Sequence, residues 1–321
     1  MRKMMKHKIK HRIKHGIRQN RITPGKLLPA VLAAAALAVS ACGSAGTELP
    51  DLSSLGDITV VTREEGSGTR SEFESLADTS GDGADEVALS TEQVFEIVGN
   101  DENAIGYLAY SAYLEYISGD ASGDTSGDTS GNTSESTATA LLSVDGIECS
   151  AETIADGDYP LEREYILACS GSLSDLENDF ITYIRGAGQE IVAQTCTPVR
   201  ETAVFLSGGY SGTITICGSS SMETLMEDLI EGYAAYNPNA VIELEISDST
   251  EGLNAAMRGE CDLAMSSRSL ADYEEELLES YVIAADGIAV IVNSENPLTD
   301  ISTERLKTIY DGDVTAWSEL K

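Results

Sequence analysis

Strand-like runs that alternate with amphipathic helices predict an α/β chain, and two segments sharpen that class. The β-branched run "DITVV" opens into "REEGSGTR" (63–70), a turn of acids, glycines, a serine and a threonine, before a helical pattern begins. Much later "TITIC" passes through "GSSS" (218–221) into a helix. Its apolar residues form one stripe, Met222, Leu225, Met226, Leu229, Ile230 and Tyr233, which stops at Asn237-Pro238. With 321 residues the chain can bury the core of one large domain or two modest ones.

The elements follow in order. After the first turn Phe73, Leu76 and Ala77 repeat at helical spacing. "STEQVFEIVG" reads as a second short helix stopped by Gly99, and "AIGYLAY" as a strand. Tyr107, Tyr110, Tyr113 and Tyr116 recur every three residues. A stacking platform is one reading of them; half-buried strand and loop tyrosines are the other. "ISGDASGDTSGDTSGNTSEST" (117–137) repeats an SGDT unit. Its carboxylates suggest calcium, but the spacing does not fit a helix–loop–helix calcium loop, and the segment reads as a solvated surface loop. "ATALLSVDG" and "REYILACSG" then read as strands, "LSDLENDFITYIRGAGQEIVAQ" as one long helix, and 200–212 as a linker. "VIELEI", "DLAMSS" and "GIAVIVN" are further strands, and "STERLKTIY" a last helix.

Charge is unevenly spread. Residues 1–41 hold 10 of the 20 Lys and Arg, all three histidines (His7, His11, His15) and no acid. From Cys42 onward 10 basic face 54 acidic side chains, a formal charge of −44, which repels nucleic acid and anionic lipid. Nucleic-acid binding is not expected. The first 41 residues read as targeting: a basic start, the apolar run Leu27–Val39, then "LAVSAC". That ending resembles a bacterial lipoprotein signal, cleaved before Cys42 with lipid on its thiol; an ordinary signal peptide or anchor is the alternative. Residues 42–56 would then be a tether. Loss of the signal removes every histidine, and with it Ser-His-Asp and Cys-His mechanisms and the usual imidazole metal ligands. Five cysteines remain, Cys149, Cys169, Cys196, Cys217 and Cys261, none in CxxC spacing, and their pairing is open. No catalytic centre, metal or cofactor is expected.

Three turns share one design. "REEGSGTR", "GSSSMETL" and "SDSTEGLNAAM" each follow a strand and place hydroxyls at a helix start, where unpaired N–H groups and partial positive charge attract anions. Gly66 and Gly68 allow close backbone approach, and Arg63 adds a forked cation. Each turn singly also fits a capping box: Ser220 with Glu223, Asp248 with Glu251, Thr69 with Glu72. Three together, at the carboxyl ends of strands where open α/β sheets bind ligands, favour a small oxyanion site. Arg268 reads equally as a ligand residue or as the partner of an acid.

At "REEGSGTR", "ITICGSSSMETLMEDL", "DLAMSSRSL", "DGIAVIVNSENPL" and "IYDGDVTAWSEL" the chain resembles the phosphate-binding proteins of bacterial phosphate ABC importers. The resemblance covers nearly everything after residue 56 apart from the low-complexity insert. It implies a two-lobed type II periplasmic-binding-protein fold, each lobe a mixed sheet flanked by helices. In the family as usually written the "GSSS" half precedes the "GSGTR" half. Here the order is reversed, as in a circular permutant joined through 200–212; a fragment of a tandem protein is the alternative.

The same resemblance implies roles. Arg63 would pair with phosphate and Glu65 would orient it. Ser67, Gly68 and Thr69 would donate from one lobe, Ser220, Ser221 and Ser249 from the other. Ser267 stands where some members carry an aspartate that accepts the phosphate proton; a serine both donates and accepts, so it rejects sulfate less well. One lobe would comprise 57–115 with 294–321, the other 140–293, with 116–139 a loop. The expected protein is a lipid-anchored receptor on the extracytoplasmic face of the cell membrane. It would carry inorganic phosphate to the permease of an importer, with a sulfate-like oxyanion or a sensing role as alternatives.

Overall fold

The computed structural model describes residues 49–118 and 138–320. The expected signal segment, Cys42 and the SGDT repeats lie outside the described residues.

In chain order the strands are β1 Thr59–Arg63, β2 Glu86–Ala88, β3 Ala104–Ala109, β4 Thr139–Leu141, β5 Ser143–Val144, β6 Glu162–Cys169, β7 Gly212–Ser219, β8 Ala240–Ser247, β9 Leu263–Ser266, β10 Glu279–Asn293 and β11 Asp300–Ile301. The helices are α1 Gly68–Leu76, α2 Thr91–Asn100, α3 Tyr110–Ser118, α4 Ala151–Ala155, α5 Asp175–Ile184, α6 Gln189–Thr195, α7 Glu223–Tyr236, α8 Ser249–Arg258, α9 Asp272–Glu275 and α10 Thr303–Tyr310.

The main sheet runs β2-β1-β3-β10-β6-β9-β7-β8, with β4 on the other flank of β10. Two parallel sets, β2-β1-β3 and β9-β7-β8, are joined through antiparallel β10 and β6. The 15-residue strand β10 serves both sets. Glu279–Gly287 pairs with β6, and Ile288–Val292 pairs with β3. A second passage lies beside it, where Ile288 N donates to Leu161 O at 2.8 Å and the Tyr159 hydroxyl donates to Ile288 O at 2.9 Å.

Two cores flank these passages. The first gathers Phe73, Ile105, Tyr107, Val144, Leu161, Val290, Leu306 and Trp317; the second gathers Phe180, Ile216, Met226, Leu229, Tyr233 and Met265. Fully burying one such side chain contributes about 1.5–3 kcal/mol. The α7 stripe behaves as its spacing predicts, with Ile230 partly buried and the other five buried.

Several sequence expectations are corrected. Residues 139–161 belong to the first core rather than the second, because β4 pairs with β10 and Val144, Cys149, Ile154 and Tyr159 pack there. The tether docks from Leu49 onward: Leu52 is buried in the first core and Gly56 N donates to Asn103 Oδ1 at 2.7 Å. The expected long helix 173–194 breaks into α5 and α6 around Gly186 and Gly188, whose N–H groups both turn back to Tyr183 O. Tyr110–Ser118 is a helix, so the spacing of Tyr110, Tyr113 and Tyr116 is helical, while Tyr107 lies in strand β3. Tyr116 stacks on Phe95 at 3.9 Å and Tyr107 on Phe73 at 3.9 Å, which makes them packing residues. Cys217 and Cys261 form a disulfide, and Cys149, Cys169 and Cys196 are buried thiols. Burial pushes the Cys149 and Cys196 thiols well above their ordinary range.

Candidate functional site

The β1–α1 connection is a tight reversal. Ser67 N donates to Glu64 O at 3.2 Å and Gly66 adopts φ 92°, the third-position geometry of a type II turn. Glu65 therefore sits at the exposed corner. Ser67 Oγ caps α1 by accepting from Arg70 N at 3.4 Å. The first residues of α1, Gly68 and Thr69, are buried, and a buried helix start must find acceptors beyond its own chain segment.

Side chains from the turns after β7, β8 and β9 pack against this start. Thr69 Oγ1 lies 2.8 Å from Ser221 Oγ. A Cβ at Gly68 would fall 2.2 Å from Ser249 Oγ and 2.6 Å from Ser267 Oγ, so only glycine admits this approach. Around them Ser219 Oγ meets Ser267 Oγ at 2.8 Å, and Ser249 Oγ accepts from Ser267 N at 3.1 Å. Glu72 also crosses, accepting from Ser269 N at 3.0 Å and Ser269 Oγ at 3.1 Å. The molecule is closed along this seam.

The capping-box reading holds only in part. At Asp248 the carboxylate accepts from Glu251 N at 2.8 Å, but Glu251 turns to Arg258 at 2.9 Å instead of completing the box. At 220–223 a 3-10 turn, Ser220–Met222, precedes α7, whose cap residue Met222 offers no side-chain bond. At α1 the cap is Ser67 rather than Thr69.

Arg63 is buried beside this seam but does not reach into it. Its Nε and Nη2 donate to the two Glu64 oxygens at 2.8 and 2.9 Å, and Nη1 reaches Thr91 Oγ1 at 3.5 Å. The expectation that Glu65 orients it is corrected: the turn aims Glu65 at solvent and leaves Glu64 alongside. Arg268 forms a forked pair with buried Glu274 at 2.8 and 2.9 Å, which settles its role as an ion-pair partner. Ser220 is half-buried at the start of its turn, next to Ser221.

Sequence reasoning passed over Arg163. This residue of β6 is buried and donates through Nη1 to Thr69 Oγ1 at 2.7 Å and to Ser267 O at 3.2 Å. Its Nη2 reaches Tyr165 Oη and Asp286 Oδ2, each at 3.1 Å. Asp286 in turn accepts from the Tyr165 hydroxyl at 2.7 Å and from Ser111 N at 3.0 Å. Burial holds the Tyr165 hydroxyl well above its ordinary range, so it stays a donor. The available signal was period-two alternation in "EREY": Arg163 and Tyr165 take the inward positions while Glu164 faces water. At the start of α7 Glu223 is raised above its ordinary range by burial, then by the like charges of Glu227 and Glu92. Among the described residues no group of three or more His, Cys, Asp or Glu is placed to hold a metal ion.

The chain matches the family model described as the PBP superfamily domain over residues 32–186 and 203–321. The chain belongs to the PBP superfamily. It is 32% identical over 294 residues to phosphate-binding protein PstS 2 of Streptococcus pneumoniae, covering 88% of this chain and 93% of that relative. It is 33% identical over 284 residues to PstS 2 of Streptococcus agalactiae, covering 84% and 89%. A crystal structure of a phosphate ABC transporter phosphate-binding protein from Streptococcus pneumoniae TIGR4 superposes with a TM-score of 0.64 at 32% identity, covering 83% of this chain and 100% of that one. The architecture of this PBP-superfamily member is accordingly the two-lobed type II periplasmic-binding-protein fold, with the serine-rich seam lying between its lobes.

Proposed function

We propose that the chain is a solute-binding protein that captures inorganic phosphate between its two lobes and delivers it to an ABC importer. One observation carries the reading: Thr69 and Ser249, at buried helix starts that attract anions, meet the hydroxyls of Ser221 and Ser267 from the turns after β7 and β9. The names of the pneumococcal and agalactiae relatives, phosphate-binding proteins both, support phosphate as the anion. Ser67, Gly68, Thr69, Ser221, Ser249 and Ser267 would hold it, with Ser220 and Arg63 at the margins. Hinged closure around a ligand presents a finished surface to a permease.

The protein acts by binding rather than by catalysis. From Cys42 onward no histidine exists to activate Ser221 or Ser67, and Ser221 Oγ already pairs with Thr69. The reading also includes a lipid on Cys42 that anchors the protein on the extracytoplasmic face; localisation of a Cys42→Ala variant tests it, and unchanged membrane retention counts against it. Among the described residues no helix is long and apolar enough to cross a membrane. The reading also includes a circularly permuted order joined through residues 200–212, of which 201–211 run without helix or strand before β7.

Calorimetric titration of ligand-stripped protein with phosphate and then sulfate tests the central claim. Tight phosphate binding without sulfate binding is expected. Equal heats would make the protein a general oxyanion receptor, and no heat from a folded sample would reject the function.

A further inference from the structure

We infer that Arg163 is a specificity-determining ligand of the anion site, an assignment that rests on the phosphate reading above. Its guanidinium is buried, and Nε has no hydrogen-bond partner among the described residues. A buried N–H of a charged group rarely goes unsatisfied, because desolvation without a bond is costly. The same guanidinium already touches Thr69 Oγ1, which touches Ser221 Oγ, so it stands one hydroxyl from the line along which the lobes meet. An anion seated there brings acceptor oxygens within reach of a planar fork suited to them.

Asp286 positions this arginine without using up its donors. It takes only Nη2, while its other oxygen is held by Ser111 N. Arg63, by contrast, spends both Nε and Nη2 on Glu64. Arg163 therefore retains the donor that Arg63 lacks. Because Asp286 lies on β10, two residues before the first position that pairs with β3, ligand charge is tied to the passage between lobes.

The test is calorimetric titration with inorganic phosphate of the wild type, Arg163→Lys, Arg163→Gln and the double variant Arg163→Gln/Asp286→Asn. The double variant keeps the buried pair uncharged, and thermal unfolding without phosphate reports its folding. At least a 100-fold loss of phosphate affinity is expected in both glutamine variants, with lysine, which keeps the charge but not the fork, in between. A cooperatively folded double variant that binds within threefold of wild type overturns the assignment and leaves the function standing. Should that variant fail to fold, wild-type affinity in Arg163→Lys overturns it instead. A folded wild type that binds no phosphate rejects the function and this assignment together.

Discussion

Arg63 and Arg163 are both buried strand arginines paired with carboxylates, yet they are held in opposite ways. Arg63 finds Glu64 one residue away, across a turn, and Glu64 keeps partial contact with water. Arg163 finds Asp286 across 123 residues, and neither side chain is more than 1% exposed. The first pair forms wherever its turn forms. The second exists only when β6 and β10 are paired in register, so it reports on the whole assembly and places charge where two lobes meet. The cation held locally is paired across one turn, and the one that needs the full fold is held between β6 and β10.

The largest effect that separates the two should come from removing one partner. Arg163→Leu leaves Asp286 buried without its cation and should lower stability by about 3–5 kcal/mol in urea unfolding. Arg63→Leu leaves Glu64 able to reach water and should cost about 1 kcal/mol. Equal losses would break the comparison.

A covalent long-range tie offers the next contrast. Cys217 and Cys261, 44 residues apart, both lie in the second lobe. Replacing both with serine should cost about 2–4 kcal/mol of stability. Folded protein should nevertheless retain its phosphate affinity, since the bond lies within one lobe.

Gly68→Ala should do the reverse. Its new methyl collides with Ser249 and Ser267 only when the lobes are closed. Phosphate affinity should fall about 100-fold, equivalent to about 2.7 kcal/mol, with little change in unfolding. A comparable loss of stability would show that the seam is part of the core rather than a cleft.

The smallest effect should come from Glu92 and Glu223, in the first turns of α2 and α7. Burial, Glu227 and then Glu92 raise Glu223, so the closed molecule favours its proton. With the group raised above its ordinary value of 4.5, closure is favoured below that value and loses this contribution as pH rises through the raised one. Glu92→Gln/Glu223→Gln should tighten phosphate binding about twofold at low salt and leave it unchanged at 1 M salt.

What was legible in the chain was local. The strand–turn–helix units around "GSGTR" and "GSSS", the α7 stripe and the hydroxyls of Ser67, Thr69, Ser221 and Ser249 follow from spacing and turn chemistry, whereas Ser267 entered only through the family resemblance. Arg163 and Asp286 were not, because nothing near either residue names the other. The first half of β10, "ESYVIAAD", also escaped, since its burial comes from pairing with β6 rather than from a strong apolar run. Glu65 was misjudged for another reason: one turn of backbone decides which of two adjacent glutamates faces an arginine.

The shared strand β10 has a consequence for the order of assembly. The second lobe is built from residues close together in the chain, roughly 162–287, whereas the first joins 52–118 and 138–161 to 288–320, down to Trp317 N on Gly56 O and Ala316 bridged to Asp57. A chain emerging from its amino end exposes the free edge of β3 long before β10 arrives to pair with it. That edge waits through the synthesis of an entire lobe, and long-range pairing of that kind is slow and prone to association. Whatever holds the early segment apart from other chains in that interval governs the yield of folded protein.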